Sequence, residues 1–352
     1  MAVVAVAFCS ATLAFLEGSA RQPVEPLPGP KLVDLHCHTA GIGAGDSGCF
    51  VSEAMKRSVR FDVFLRGFGV TQAELRSQGD SLVIDRIAAR VAASDKVGRA
   101  VILALDGAVD ERGELDRART EMYVPNEFVA AEVAKHPELL FGASVNPYRP
   151  DALARLEWAK AHGAVLVKWL PSIQHIDPAD PRLAPFYRKL VELKLPLLTH
   201  TGTEHSFTQS DDRLCDPERL RLALNQGVTV IAAHAATTGR YGGKPAIERL
   251  AVLMNQYPNL YADTSSLTQI NKHSDLLKVL RRPEFRGRLV YGTDYPLTAM
   301  RVMVSPWYYP FRLSWHQKRS ISEQENPWDR DVALKQALGM PADAWGGLPV
   351  CK

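Results

Sequence analysis

The apolar positions of this chain fall into short runs, and each run stops abruptly at an ionisable residue. Ala164–Val167 runs into Lys168, Leu195–Thr199 into His200, Val228–Ala233 into His234, Leu260–Ala262 into Asp263 and Leu289–Thr293 into Asp294. Successive end residues lie between 29 and 34 positions apart, the length of one strand, one helix and two loops. The pattern predicts repeated β-α units. Parallel strands need a crossover, and the commonest closed arrangement of many such units is a barrel whose reactive groups sit at the carboxyl ends of the strands. Three earlier runs bring the predicted strands to eight: Leu32–His38, Ala100–Leu105 ending at Asp106, and Leu139–Val145 ending at Asn146.

The helices between them show a different spacing. Ile84, Ile87, Ala88 and Val91 share one face of a helix predicted over 82–93. Leu183, Phe186, Tyr187, Leu190 and Leu193 do the same over 182–193. Further helices are predicted over 52–65, 126–135, 151–162, 217–225, 246–255 and 274–280, with a closing helix over 329–338. The fold class is therefore α/β, a (β/α)8 TIM barrel spanning residues 32–352. A long insertion over 67–80, after the first strand, is expected to shape the mouth of the barrel.

Residues 1–31 stand apart. Met1 to Leu16 is almost wholly apolar and is followed by Gly18-Ser19-Ala20, as in the core and cleavage region of an export signal, yet no Lys or Arg lies near Met1. Four prolines over 21–31 make an extended linker. A cleaved signal and a surface tail both stay open, and with them a cytoplasmic, periplasmic or exported location.

Composition narrows the partners. The 352 residues are 46% hydrophobic and 23% charged, with a formal net charge of +3 and no basic cluster. Nothing there calls for nucleic acid or, for the barrel, a membrane. The five cysteines lack the spacing of a disulfide framework or a thiolate zinc site. The expected partner is a small-molecule substrate, and a homodimer stays open.

The candidate chemistry begins in the first strand. In Val33-Asp34-Leu35-His36-Cys37-His38-Thr39, strand alternation points His36 and His38 to one face and Cys37 to the other. In a closed barrel the eighth strand lies beside the first, so Asp294 returns next to this pair, while His200 comes from across the mouth. Three imidazoles and one carboxylate suit a divalent cation, most simply one Zn²⁺ per chain with an open position for water. Asp294 is then both a ligand and the base that takes the water's proton. His234 is placed to polarise a substrate oxygen or shuttle a proton. Lys168 has three readings: a cation for a substrate carboxylate, a barrel ion-pair partner, or a carbamylated ligand bridging two metals, with the first two ranked above the third. His205 and Glu204 are placed to touch substrate, and Asp263 to orient a histidine. Asp106 and Asn146 are read as caps, and His136, His162 and His316 as surface residues.

The segments DLHCHT at 34–39, VKWLPSIQHIDPADPRLAPFYRKLVELKLPLLTHTG at 167–202, VIAAHA at 230–235, NLYADTSSL at 259–267 and YGTDYP at 291–296 carry a resemblance. Together they resemble the amidohydrolase-related metal-dependent hydrolases, closest to the branch that holds α-amino-β-carboxymuconate-ε-semialdehyde decarboxylase, γ-resorcylate decarboxylase and 2-pyrone-4,6-dicarboxylate lactonase. The resemblance runs from about 32 to 340. It implies a distorted barrel, a mononuclear metal centre, ligands at His36, His38, His200 and Asp294, and a catalytic His234. The chain departs from the decarboxylases at Lys168 and in its own Gly-rich loop over 41–48. The leading expectation is hydrolysis of a C–N or C–O bond of a small carbonyl compound by metal-activated water. The alternatives are non-oxidative decarboxylation of an aromatic or unsaturated acid, with Lys168 or Arg240 holding the carboxylate; a PHP-type phosphoesterase, suggested by DLHCHT followed by GDSG and opposed by the lack of a late Asp-x-His; and a catalytically inactive metal-binding protein.

Overall fold

A computed structural model describes residues 31–204 and 206–345. The predicted leader over 1–30 and His205 lie outside the described residues. Eight parallel strands form one sheet: β1 (Leu32–His38), β2 (Val97–Leu103), β3 (Leu139–Ala143), β4 (Ala164–Trp169), β5 (Leu197–His200), β6 (Val230–Ala233), β7 (Leu260–Asp263) and β8 (Leu289–Val290). They are ordered as in the sequence, each hydrogen-bonded to the next. The sheet closes through three backbone bonds at the seam: Leu35 N–H to Tyr291 O at 3.1 Å, Asp294 N–H to His36 O at 2.9 Å, and His38 N–H to Tyr295 O at 3.1 Å. The fold is the predicted (β/α)8 barrel.

Helices cover the outside: α1 (Ser81–Ala92), α2 (Asn126–Val133), α3 (Ala152–Ala161), α4 (Ala184–Glu192), α5 (Arg221–Asn225), α6 (Ala246–Gln256), α7 (Asp275–Leu280) and α8 (Pro327–Ala337). In α1 the buried residues are Val83, Ile84, Ile87, Ala88 and Val91, the face that the sequence pattern marked. Leu35, Val101, Leu103, Leu166, Leu198, Ile231, Ala233 and Val290 pack together inside the barrel. Among the described residues, no helix is long and apolar enough to cross a membrane.

Several boundaries differ from the sequence reading. The helix expected over 52–65 is two helices, Glu53–Lys56 and Val59–Phe68, because Ser58 starts a new one by accepting from the Arg60 N–H. The insertion over 67–80 contains a helix, Gln72–Gln78, opened by a Thr71/Glu74 capping box. A further helix at Trp315–Glu323, likewise opened by a capping box at Ser314 and Gln317, had not been expected.

The Gly-rich loop over 41–48 curls around the Asp80 carboxylate, which accepts from the N–H groups of Ile42, Gly43 and Ala44 and from the Ser47 hydroxyl. The loop that suggested a phosphoesterase is thus tied to a carboxylate of this same chain.

α8 braces the seam below the site. Asp34 accepts from the His36 N–H, the Thr293 N–H and hydroxyl, and the Trp328 indole N–H. Lys335, fully buried, bridges Gly292 O and Asp331. Gly292 gives room there, since a Cβ would stand 3.0 Å from His36 Cβ and press on that side chain.

Candidate active site

The alternation of each strand decides what reaches the barrel mouth. Leu166 faces the interior, so Lys168, two residues on, follows it to the rim; Leu198 and His200 repeat the relation. In β1 the register jumps: Asp34 to Cys37 spans three residues where β2 has two, from Ala100 to Ile102. This bulge lets Leu35 stay inside the barrel while Cys37 turns into the outer core and His36 and His38 point to the mouth. Asp294 follows β8 in a left-handed backbone conformation, φ +63°.

His36, His38 and Asp294 converge. His36 Nε2 lies 3.1 Å from His38 Nε2 and 3.5 Å from Asp294 Oδ1, and His38 Nε2 lies 3.3 Å from Asp294 Oδ1. Burial first, and then the nearby Lys168, lower His36 to about 4, so it is neutral at pH 7. We assign its proton to Nδ1, which donates to Asp263 Oδ2 at 2.7 Å; Nε2 then carries a lone pair aimed at the other two donors. Lone pairs this close repel one another unless a shared cation sits among them. Ligands about 2.0–2.1 Å from a tetrahedral Zn²⁺ stand about 3.3 Å from one another. The trio has that spacing and the right donor chemistry, and so fits a divalent cation.

Two further imidazoles flank the trio. His200 is buried, with Nδ1 3.4 Å from Glu204 Oε2 and with Nε2 lacking any hydrogen-bond partner. Among the described residues, the groups of three or more donors lying within 4.8 Å of one another do not include His200. It therefore stands beside the tight trio, its free nitrogen buried next to it. The His234 ring stacks on His36 at 5.2 Å between centroids and meets His200 at 5.0 Å.

A relay fixes the His234 tautomer. The Ser265 hydroxyl donates to Asp263 Oδ1 at 2.5 Å, so its 2.8 Å contact with His234 Nδ1 uses the imidazole's proton. Nε2 is left with the lone pair. Asp263 also accepts the His234 backbone N–H at 2.7 Å, so one buried carboxylate orients both His36 and His234.

Charge is distributed accordingly. Burial and then the Lys272 ammonium hold His234 well below its ordinary value, and burial lowers His200 as well. Burial would raise Asp294, but His234, His38 and His36 outweigh it and keep the carboxyl well below its usual range. Lys168 is pushed down to about 8 by burial, with Nζ 2.9 Å from His36 Nε2.

His38 and Asp294 line a cavity of about 390 Å³ whose walls include Val63, Phe64, Leu105, Met122, Leu170 and Phe207. Lys168, His200, Glu204 and His234 all line it. Arg240, weighed from the sequence as a carboxylate-binding cation, does not: it is exposed in a small hairpin and donates to Gly243 O. Asp106 makes a buried bidentate pair with Arg149, and Asn146 ties the loops after β2 and β4 together. Neither reaches the cavity. His162 stacks on Trp158 and His136 meets Asp85, both at the surface. Sequence reasoning missed Gln269 and Lys272, which line the cavity from the irregular loop after β7; a loop without periodicity offers no signal for them.

Comparisons with known proteins place this geometry. The chain is similar in structure to an uncharacterised TIM-barrel protein of Bordetella bronchiseptica, with a TM-score of 0.52 and 18% identity over 88% of this chain and 99% of that one. It is similar also to the apo form of IDCase from Metarhizium anisopliae, with a TM-score of 0.50 and 14% identity over 91% of this chain and 96% of that one. At these identities the likeness speaks for the barrel alone. No curated protein matches the chain. The family model described as Amidohydrolase matches residues 34–325, from the strand that carries His36 and His38 to a point well past Asp294. The chain therefore belongs to the amidohydrolase family.

Proposed function

We propose that this protein is a metal-dependent hydrolase that cleaves a C–N or C–O bond beside the carbonyl of a small molecule. The reading rests on one observation above all: three donor atoms 3.1–3.5 Å apart, two of them from residues that line a largely apolar cavity, with a neutral imidazole alongside. His36, His38 and Asp294 would hold one divalent cation, Zn²⁺ by their chemistry. The buried, unpartnered Nε2 of His200 is the candidate fourth donor. A cation held there supplies Lewis-acid polarisation of a carbonyl and a water acidified toward a pKa of about 7.

The protein's own groups then handle the protons. Asp294, held ionised by three neighbouring imidazoles, accepts the proton of the attacking water. His234, neutral and with its Nε2 lone pair free, carries that proton to the leaving nitrogen or oxygen. Water's oxygen ends on the carbonyl carbon and its two hydrogens end on the two products. Asp263 holds both imidazoles in the tautomers this requires. The apolar walls keep other water away from the reacting bond.

Two other readings have specific support. The apolar lining also suits a carboxy-lyase, since removing water from a carboxylate favours loss of CO2. The aim of Lys168 at His36 Nε2 suits a carbamate, in which the amine bonds CO2, releases a proton and offers two oxygens to a second cation. The test is zinc-reconstituted protein incubated in heavy-oxygen water with anilides, lactones and aromatic acids. Hydrolysis predicts label in a carboxyl product without CO2 release. Release of CO2 with no label in the remaining organic product would overturn hydrolysis in favour of the carboxy-lyase.

A further inference from the structure

The cavity contains a cation that the chemistry above leaves unused. The Lys272 Nζ donates to Ser266 Oγ at 2.9 Å, a neutral partner, and no carboxylate pairs with it among the described residues. On the same loop Gln269, 3% exposed, lines the cavity with its Nε2 buried and without a hydrogen-bond partner. A buried amide N–H without an acceptor is costly, and the part-buried Lys272 ammonium has only a hydroxyl as its partner. Both groups donate, and both belong to residues of one loop that line the same cavity.

We propose that Gln269 and Lys272 form a carboxylate subsite, and that the substrate is a small monocarboxylate with an apolar, ring-sized body. The inference rests on the reading that this cavity holds the substrate. One ammonium and one amide match a single carboxylate; a phosphate dianion would call for more charge and more donors. The body would lie against Val63, Phe64, Leu105, Met122, Leu170 and Phe207, and a volume of about 390 Å³ suits a ring with a short chain. Lys168 sits at the candidate cation site, with Nζ 2.9 Å from His36 Nε2, and not on the loop that carries Gln269 and Lys272.

The positions also fix the substrate's length. Ser266 Oγ, which accepts from Lys272, is 3.0 Å from His234 Nδ1, and the His234 ring stacks on His36. An anion on Lys272 is therefore three hydrogen bonds from the His234 ring, which keeps the carboxylate and the reacting bond on one small skeleton.

The test measures binding of phenylacetate, phenylacetamide and benzylphosphonate by calorimetry. It uses the purified protein and the same protein after dialysis against a chelator, which separates subsite binding from direct coordination to a metal. Metal-free protein is expected to bind phenylacetate at least about tenfold more tightly than phenylacetamide. Lys272→Met should abolish that preference, Lys272→Arg should keep most of it, and Gln269→Leu should weaken phenylacetate several-fold. Equal binding of acid and amide by the wild type, or binding of neither, overturns the proposal. So does a preference that survives in Lys272→Met, or tighter binding of benzylphosphonate than of phenylacetate. Gln269→Leu and Lys272→Arg give the answer should Lys272→Met fold poorly. Metal content measured on the same samples reports separately on the hydrolase reading, so the two can fail independently.

Discussion

Asn in place of Asp294 is expected to lower kcat/KM by about 10³-fold or more, since removing a general base alone costs about 10²–10⁴-fold. The substitution keeps the shape of the side chain and the backbone bond from the Asp294 N–H to His36 O. What it removes is charge. Three imidazoles surround this carboxyl and stabilise its ionised form, and an amide offers neither the proton acceptor nor the anionic donor they are arranged around. The loss should fall mainly on kcat, with the melting temperature near that of the wild type. Steady-state kinetics on the substrate found by the product screen, together with zinc content, make the check. Activity within tenfold of the wild type would remove Asp294 from the mechanism.

The second large effect is expected at Asp263, which touches neither cation nor substrate in this account. Its fully buried carboxylate accepts from His36 Nδ1, the His234 N–H, and the Ser265 N–H and hydroxyl. Asp263→Asn places an N–H2 group against donors. His36 must then flip its tautomer, which takes the lone pair from Nε2, or lose its bond, which leaves the ring unoriented. Zinc affinity should fall by about 10–100-fold, the usual cost of losing a carboxylate that orients a ligating histidine. Stability should fall by about 2–4 kcal/mol as buried donors lose their acceptor. Competition against a chelator and a denaturant titration measure the two. An unchanged zinc affinity would show that Asp263 serves packing alone.

The barrel was legible because its signal is periodic. Apolar runs ending in Lys168, His200, His234, Asp263 and Asp294 recur at the length of a β-α unit; the first four lie within one residue of a strand end, and Asp294 follows the short β8 by four residues. The return of Asp294 to the His36/His38 pair followed from closure alone, and the seam bonds place it there. Asp263 could be suspected of orienting a histidine, but not that it holds two, since that depends on β6 and β7 standing side by side.

What the sequence hid is whatever depends on irregular backbone. The bulge in β1 that turns Cys37 outward leaves no mark in a two-residue period. Helix boundaries near Ser58 moved because a local cap outweighed the apolar pattern. Lys168 had three readings in the sequence, and its contact with His36 Nε2 depends on a side-chain reach that no strand pattern reveals. Lys272, which lines the cavity with no carboxylate partner among the described residues, sits in a loop where no spacing rule applies, whereas Arg240, which stood out in the sequence, lies on the surface. His200 shares the cavity without entering the tight trio, a distinction of a few ångströms that strand ends cannot resolve.

The most direct test is zinc stoichiometry with X-ray absorption at the zinc edge, on purified protein and on His36→Ala. The account predicts one zinc per chain bound only by nitrogen and oxygen at about 2.0–2.1 Å, and none in the variant. Two zinc ions per chain would keep the site and assign Lys168 as a carbamate. A chain that neither retains nor takes up a divalent cation, or that binds zinc equally well without His36, would contradict it.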